Sequence, residues 1–390
     1  MLWQTHPGMG TISRMKVTNN LKYYDIGEII MSYTIPIGPY HPALEEPIHA
    51  RLIVEGEEIK DAEVFIGYNH RGIEKLAQER NFIQTLVLVE RVCGICSHAQ
   101  SLGYALCVEH IAGMEVPKRG QYIRVIVGEL ERIHSHLLWV GIACHIVGHD
   151  SLFMQIFNDR ELVMNTLEKV TGNRVNYGMN TIGGTRRDIS DEIRRELMQA
   201  ANELEKKMQP VIHWLTHDKT LAMRTRNVGI LTTEDAHRLG TVGPHARASG
   251  LNMDVRRDAP YCSYEDFEFT VPVETSCDVY ARIVIRVLEV MESIKIIRQA
   301  VDNLPEGPIS LGNKIPKVPA GQFVSRYEAP RGQLCNKVVT DGGPNNYRLS
   351  IHVPTFKTAP TVPVMLRGNS VADAGLIVAS IDPCFSCLDR

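Results

Sequence analysis

Arg91-Val92-Cys93-Gly94-Ile95-Cys96-Ser97-His98 is the stretch on which the fold turns, because Asp382-Pro383-Cys384-Phe385-Ser386-Cys387 repeats its C-x-x-C spacing near the other end of the sequence. A C-x-x-C pair lets two sulfurs face one ion from a tight turn, and thiolates select nickel, iron, zinc or copper(I) over hard cations. Joining the two pairs means burying the segment around residue 385 against the segment around residue 95, a costly loop closure for which one shared metal site is the purpose the residues suggest. The separation is not that of a zinc ribbon, where the second pair follows within about twenty residues. Structural zinc stays open as the plain alternative.

The flanks narrow the choice. Arg91-Val92-Cys93-Gly94-Ile95-Cys96 with Asp382-Pro383-Cys384-Phe385-Ser386-Cys387 resembles the paired signatures of nickel-iron hydrogenase large subunits, and the resemblance spans nearly the whole chain. It implies an α+β fold of one domain over residues 1–390: a central bundle of long helices with small peripheral antiparallel β sheets. Within it the sequence divides into a β hairpin at 48–67, a helical core at 72–305, and a β and helix region at 321–390.

Composition agrees with a large buried core. Hydrophobic residues make up 44% of 390, and 42 basic against 45 acidic side chains leave no basic field to invite nucleic acid. Nine cysteines, five of them outside the two motifs, do not form a disulfide framework in a chain this long, so a reducing cytoplasm is expected. Residues 1–20 lack an apolar signal core, and the longest apolar run, Leu137 to Val147, is too short to span a bilayer. Membrane association is therefore expected through partners.

Taken in order, Pro36 to Pro47 reads as a proline-punctuated loop, followed by alternation at Ile48, Ala50, Leu52 and Val54, a turn at Glu55-Gly56-Glu57-Glu58, and a return strand. Gly72 to Val92 reads as one helix running into the first cysteine pair, and Ser97 as the cap of the next. Pro117 opens a long helix, Asn158 is a candidate cap for its successor, and Ser190 caps a third that Pro210 should kink or break. His145 and His149 share a helical face if the helix extends that far, without an evident third ligand, and His134 and His136 read as hydrogen-bonded packing residues. Residues 220–276 are loop-rich. Val279 to Val301 carries the cleanest amphipathic pattern and should be central. Asp341-Gly342-Gly343-Pro344 joins two strands, and Pro363 to Ser380 reads as the last helix, delivering the second cysteine pair.

The resemblance assigns roles residue by residue. Cys93, Cys96, Cys384 and Cys387 hold nickel, with Cys96 and Cys387 bridging to an iron that carries carbon monoxide and cyanide. Glu46, before Pro47, is the carboxyl that passes protons, with Glu45 as runner-up and a solvated loop as the alternative for both. Arg331, in Glu328-Ala329-Pro330-Arg331-Gly332, hangs over the iron, where a surface salt bridge is the alternative. Glu74, nineteen positions before Cys93 in Arg71-Gly72-Ile73-Glu74, is offered to a magnesium or second iron ion near the mature C-terminus, or merely favours its own helix N-terminus. His98 relays protons or bonds a ligand sulfur. Thr355 corresponds to a hydroxyl donor to cyanide, though its flanks depart from the family pattern. Segments 172–174 and 183–188 resemble those shared with respiratory complex I relatives.

The implied activity is heterolytic hydrogen chemistry, with a protein base taking the proton. The His-Pro-Ala-Leu-Glu-Glu-Pro loop and the Cys-Leu-Asp-Arg ending look most like the membrane-bound, energy-converting branch related to complex I. That branch implies an iron-sulfur small subunit, integral membrane subunits that translocate ions, ferredoxin as electron partner, and a peripheral place on the cytoplasmic face of the membrane. Two rivals remain: a non-catalytic, quinone-facing subunit, and a structural zinc protein.

Overall fold

A computed structural model describes residues 32–40, 46–312 and 317–390; Glu45, with the rest of 41–45, lies outside the described residues. The expected hairpin is present as β2 (His49–Glu55) and β3 (Glu58–Phe65), paired antiparallel around Gly56-Glu57. Its alternation sends Ala50, Leu52 and Val54 inward with Ile59 and Ala62. A further strand, β1 (Ser32–Ile37), pairs with β2 and makes the sheet three-stranded in the order β1-β2-β3. Pro36 obscures that strand in the sequence. It is tolerated because β1 lies at the edge, where a missing N–H breaks no inner ladder.

The segment 72–92 is two helices rather than one, α1 (Ile73–Gln78) and α2 (Phe82–Glu90). Asn81 stops the run by forming a capping box with Gln84, so the apolar spacing read across the break belongs to two different faces. Leu76, Ile83 and Val87 are left exposed as a result. In α3 (Ser97–Ile111), Ser97 does not cap: its hydroxyl donates to the Val175 carbonyl at 2.8 Å. The first amides of α3 find a partner elsewhere, the buried carboxylate of Glu131.

Glu131 sits on α4 (Lys118–Ile146), which packs against α5 (Asp150–Thr171). Asn158 is interior to α5, which starts well before it. His145 bonds Asp150 and His149 meets the Trp214 ring, so the two histidines turn to different partners. Two very short strands, β4 (Asn180–Thr181) and β5 (Gly184–Thr185), pair antiparallel across the next connection. α6 (Asp191–His217) is capped by Ser190 as expected and runs through Pro210 without interruption. The loop-rich middle carries four short helices, α7 (Lys219–Thr225), α8 (Thr233–Arg238), α9 (Gly243–Arg247) and α10 (Val255–Asp258). α11 (Val279–Asp302) lies against both α4 and α6 at the centre, its Ile283, Val287, Val290, Ile294 and Ile297 closing the largest apolar core.

β6 (Ala320–Ala329), β7 (Gly332–Asp341) and β8 (Arg348–His352) form an antiparallel meander, with Pro330-Arg331 at the tip of its first hairpin and residues 341–344 in the second turn. After α12 (Pro354–Thr358), the expected helix 363–380 is broken into α13 (Val362–Leu366) and α14 (Ala374–Ser380). The break has a tertiary cause: Gly368 and Asn369 exchange backbone hydrogen bonds with Ile59, so β3 captures the chain between the two helices. α14 then packs on α4 and α11 and leads to the last short helix, α15 (Phe385–Leu388).

Candidate metal centre

Each cysteine pair lies at the start of a helix. Cys93 and Cys96 lie in the turn between α2 and α3, and Cys384 and Cys387 at the entry to α15. Cys96 Sγ lies 3.3 Å from Cys387 Sγ, and Cys384 Sγ lies 3.4 Å from Cys93 Sγ. All four sulfurs fall within 4.8 Å of one another, and all are buried free thiols. Among the described residues this is the single group of three or more Cys, His, Asp or Glu side chains poised around one point. A larger cavity of about 810 Å3, lined by His110, Arg124, Cys262 and Phe323, shares no residue with the cage.

Four thiols so close cannot all ionise unaided. Hydrogen bonds from Cys384, Cys387 and Cys96, together with the charge of Arg331, hold the Cys93 thiol well below its ordinary pKa against the effect of burial. Cys96 and Cys387 are pushed well above theirs, chiefly by Cys384 and Cys93 and by burial. A soft cation among the sulfurs would remove that conflict, since it lets every ligand deprotonate. The donor set therefore fits a thiophilic metal. Gln100 adds an amide donor to Cys387 Sγ at 3.5 Å.

Charge around the cage is arranged by three neighbours. Arg331, 8% exposed, reaches in from the β6–β7 tip and is held by Asp382: one ion pair at 2.7 Å, one bond to the Asp382 carbonyl at 2.9 Å, and a contact to Ser135 at 3.3 Å. The hairpin tip itself is set by Gly243 against Gly332. A Cβ on Gly243 would lie 2.4 Å from Gly332 Cα, and both glycines have positive φ. Glu46 accepts from the amides of Phe385 and Ser386, between the two cysteines of the second pair. Burial raises its pKa above the usual carboxylate value, opposed by the Phe385 amide and Arg331. Thr355 Oγ accepts from the Cys384 amide at 3.2 Å. The structure thus brings Glu46, Arg331 and Thr355 to the four thiols.

His98 lies behind the cage with Asn180 at its Nδ1, and burial drives its pKa down to about 3, so it is a neutral ring. Glu131 and Asp382 are neighbours of the site that the sequence does not single out. Asp382 has one available signal, its place directly before Pro383-Cys384. Glu131 has none, because its partners are backbone amides more than thirty residues away.

Glu74 does not fit a hard-cation site. Its carboxylate is engaged by Arg390 at 3.0 Å, Arg348 at 3.2 Å and the Ile351 amide at 2.9 Å. It belongs instead to a latch on the second cysteine segment. Asp389 accepts from the Gly67 and Asn69 amides, His70 meets the Asp389 carbonyl, and Arg71 spans the Val92 and Ser386 carbonyls.

Two family matches divide the chain between them. Residues 71–141, which hold the first cysteine pair, match the nickel-dependent hydrogenases, and residues 147–317 and 310–390, which reach the second pair, match the respiratory-chain NADH dehydrogenase 49 Kd subunit. The chain is 41% identical over 92% of its length to the carbon monoxide-induced hydrogenase of Rhodospirillum rubrum, of which it covers 99%. It is 40% identical over 91% of its length to membrane-bound hydrogenase subunit alpha of Pyrococcus furiosus, covering 87% of that protein. It is also 38% identical over 92% of its length to an NADH-quinone oxidoreductase subunit of Clostridium beijerinckii, covering 97% of it.

Proposed function

The chain belongs to the family that unites nickel-dependent hydrogenases with the 49 Kd subunits of respiratory-chain NADH dehydrogenases, and from that premise we propose that it is the catalytic subunit of a membrane-bound, energy-converting nickel-iron hydrogenase. The observation that carries this reading is the cage of four buried thiols, assembled from two pairs distant in sequence. A subunit without a metal has no use for all four.

Cys93, Cys96, Cys384 and Cys387 would hold a nickel-iron group whose iron would carry carbon monoxide and cyanide. When bound, that group supplies the electron-accepting centre for heterolytic cleavage or formation of H2. The protein's own residues do the rest. Glu46, with its pKa raised and its carboxylate fixed on the Phe385 and Ser386 amides, takes and gives the proton. Arg331, locked by Asp382, keeps a fixed positive charge against the thiolates and the anionic ligands of the iron. Burial of the cage excludes water from the reacting atoms.

Electrons must come through partners, because the sequence holds no further cysteine-rich cluster motif. An iron-sulfur small subunit, ferredoxin as donor and integral membrane subunits that move ions complete the proposed assembly. Among the described residues no helix is long and apolar enough to cross a membrane, which suits a peripheral place on the cytoplasmic face.

The likeness to the NADH-quinone oxidoreductase protein of Clostridium beijerinckii favours one second reading, a non-catalytic, quinone-facing subunit. Metal analysis and infrared spectroscopy of the purified complex separate the two. Equimolar nickel with bands of metal-bound carbon monoxide and cyanide supports the hydrogenase; absence of metal supports the quinone-facing role, and zinc alone a scaffold.

A further inference from the structure

Both cysteine pairs put a cysteine at the cap position of a helix. Cys96 stands directly before α3 and Cys384 directly before α15, and neither side chain caps its helix. A cap side chain normally accepts from the second or third amide of the helix, which otherwise lacks a partner. A thiol is a weak acceptor, and these two are turned into the cage, Cys96 Sγ toward Cys387 and Cys384 Sγ toward Cys93. Ser97, next in line, gives its hydroxyl to the Val175 carbonyl. The start of α3 is thus without a local acceptor just where a ligand must be held.

At each pair a glutamate from a distant segment fills the gap. Glu46 accepts from the Phe385 and Ser386 amides of α15. Glu131 accepts from the His98 amide at 2.7 Å on one oxygen and from the Ala99 amide at 3.0 Å on the other. These are the second and third amides of α3, the two that an ordinary cap would serve. Arg71 ties the same two segments by their carbonyls, through Val92 at 2.8 Å and Ser386 at 2.6 Å.

The two glutamates differ in access. Glu46 is partly exposed, whereas Glu131 is 0% exposed and projects from the interior of α4, which packs against α5 and α11. A side chain on so rigid a support, out of contact with solvent, is suited to setting a position. Burial raises the Glu131 pKa well above the ordinary carboxylate value, against the pull of the two amides. The task needs acceptors rather than charge, since each oxygen of a protonated carboxyl keeps a lone pair for an amide.

We propose that Glu131 is a positioning residue of the candidate metal centre: by holding the two amides that Cys96 cannot serve, it fixes the Cys96-Ser97 turn and keeps Cys96 Sγ facing Cys387 Sγ across the cage. Its bearing on hydrogen chemistry rests on the hydrogenase reading, whereas its hold on Cys96 rests on the four thiols alone.

Amide hydrogen exchange and infrared spectra of the intact complex test it together. Glu131→Gln keeps one acceptor oxygen and sets an NH2 group against the other amide, so exchange at His98 and Ala99 should quicken about tenfold, and the bands of metal-bound carbon monoxide and cyanide should shift with the metals retained. Val140→Ala, a core truncation nine residues on in the same helix, should lower the Tm and leave those bands in place. Unmoved bands in Glu131→Gln, bands that move equally in Val140→Ala, or unchanged exchange each overturn the proposal. Should Glu131→Gln fail to assemble or to hold metal, Glu131→Asp is read in its place: it keeps both oxygens but draws them back by one methylene, and the same shift is required. Bands absent from the wild type would sink the hydrogenase reading alone. The thiolate-to-metal absorption of Co(II) loaded into the cage then decides, with a shift expected in Glu131→Gln and none in Val140→Ala; no shift in Glu131→Gln overturns the proposal.

Discussion

At the scale of single residues, the cage and the proton carrier proposed for it make opposite demands. Cys387 is buried among three other thiols and touches Cys96 at 3.3 Å, so replacing its sulfur with oxygen removes a soft donor that no neighbour can replace. Cys387→Ser should lose nickel and reduce hydrogen turnover to background, read by metal analysis and H2 evolution on the same sample. Glu46 contributes no ligand atom in this scheme. Glu46→Gln keeps an oxygen for the Phe385 and Ser386 amides but cannot carry a proton, so metals should stay in place while proton exchange slows by about a hundredfold or more. Unaltered exchange would move the role to Glu45. Both cysteine pairs were legible in the sequence because C-x-x-C is a local pattern. Arg331 and Glu46 became legible through the resemblance alone, since neither the loop before Pro47 nor a hairpin arginine announces its neighbours. The clamp on Arg331 by Asp382 joins positions 51 apart, and no local spacing marks it.

At the scale of elements, α4 links core and site. Its His134 and His136 point to different partners, Arg160 and Glu289, and both stay neutral: burial lowers their pKa values to about 3 and about 4. Each is therefore below its unfolded value near 6.5, so the stability it contributes is present above that value and is lost as pH falls toward the folded one. At pH 5 the loss is about 2 kcal/mol for each histidine. Denaturant melts of wild type and a His134→Gln/His136→Gln double variant should diverge in pH slope between 7 and 5 by about two protons; parallel slopes would refute the neutral pair. Helix positions were well marked by apolar period, as in α4, α6 and α11, but their ends were not. α1 and α2 part at the Asn81 capping box, and α13 and α14 part because β3 hydrogen-bonds the intervening chain. The first stop is local chemistry outweighed on paper by a continuous apolar period, and the second is wholly non-local.

At the scale of the whole molecule, the decisive event is the docking of the segment around residues 384–390 onto residues 46–96. Glu46, Arg71, Glu74 and Asp389 hold it by hydrogen bonds and ion pairs that flank the thiols on either side. Asp389 is 7% exposed and accepts two amide bonds at 3.0 and 2.9 Å. Asp389→Ala should cost about 2–3 kcal/mol, seen as a lower Tm, and should speed nickel loss to a chelator; unchanged metal retention would show that the sulfurs alone close the site. The sequence by itself determined the soft donor set, the long central helices and one turn in each three-stranded sheet, because each is written in spacing or turn chemistry within a few residues. Only the tertiary structure decided that the two pairs meet, that Asp382 fixes Arg331, and that Glu74 is spent on arginines. Those depend on which distant side chains share a buried volume, and burial is what turns a list of charged residues into matched and unmatched ones.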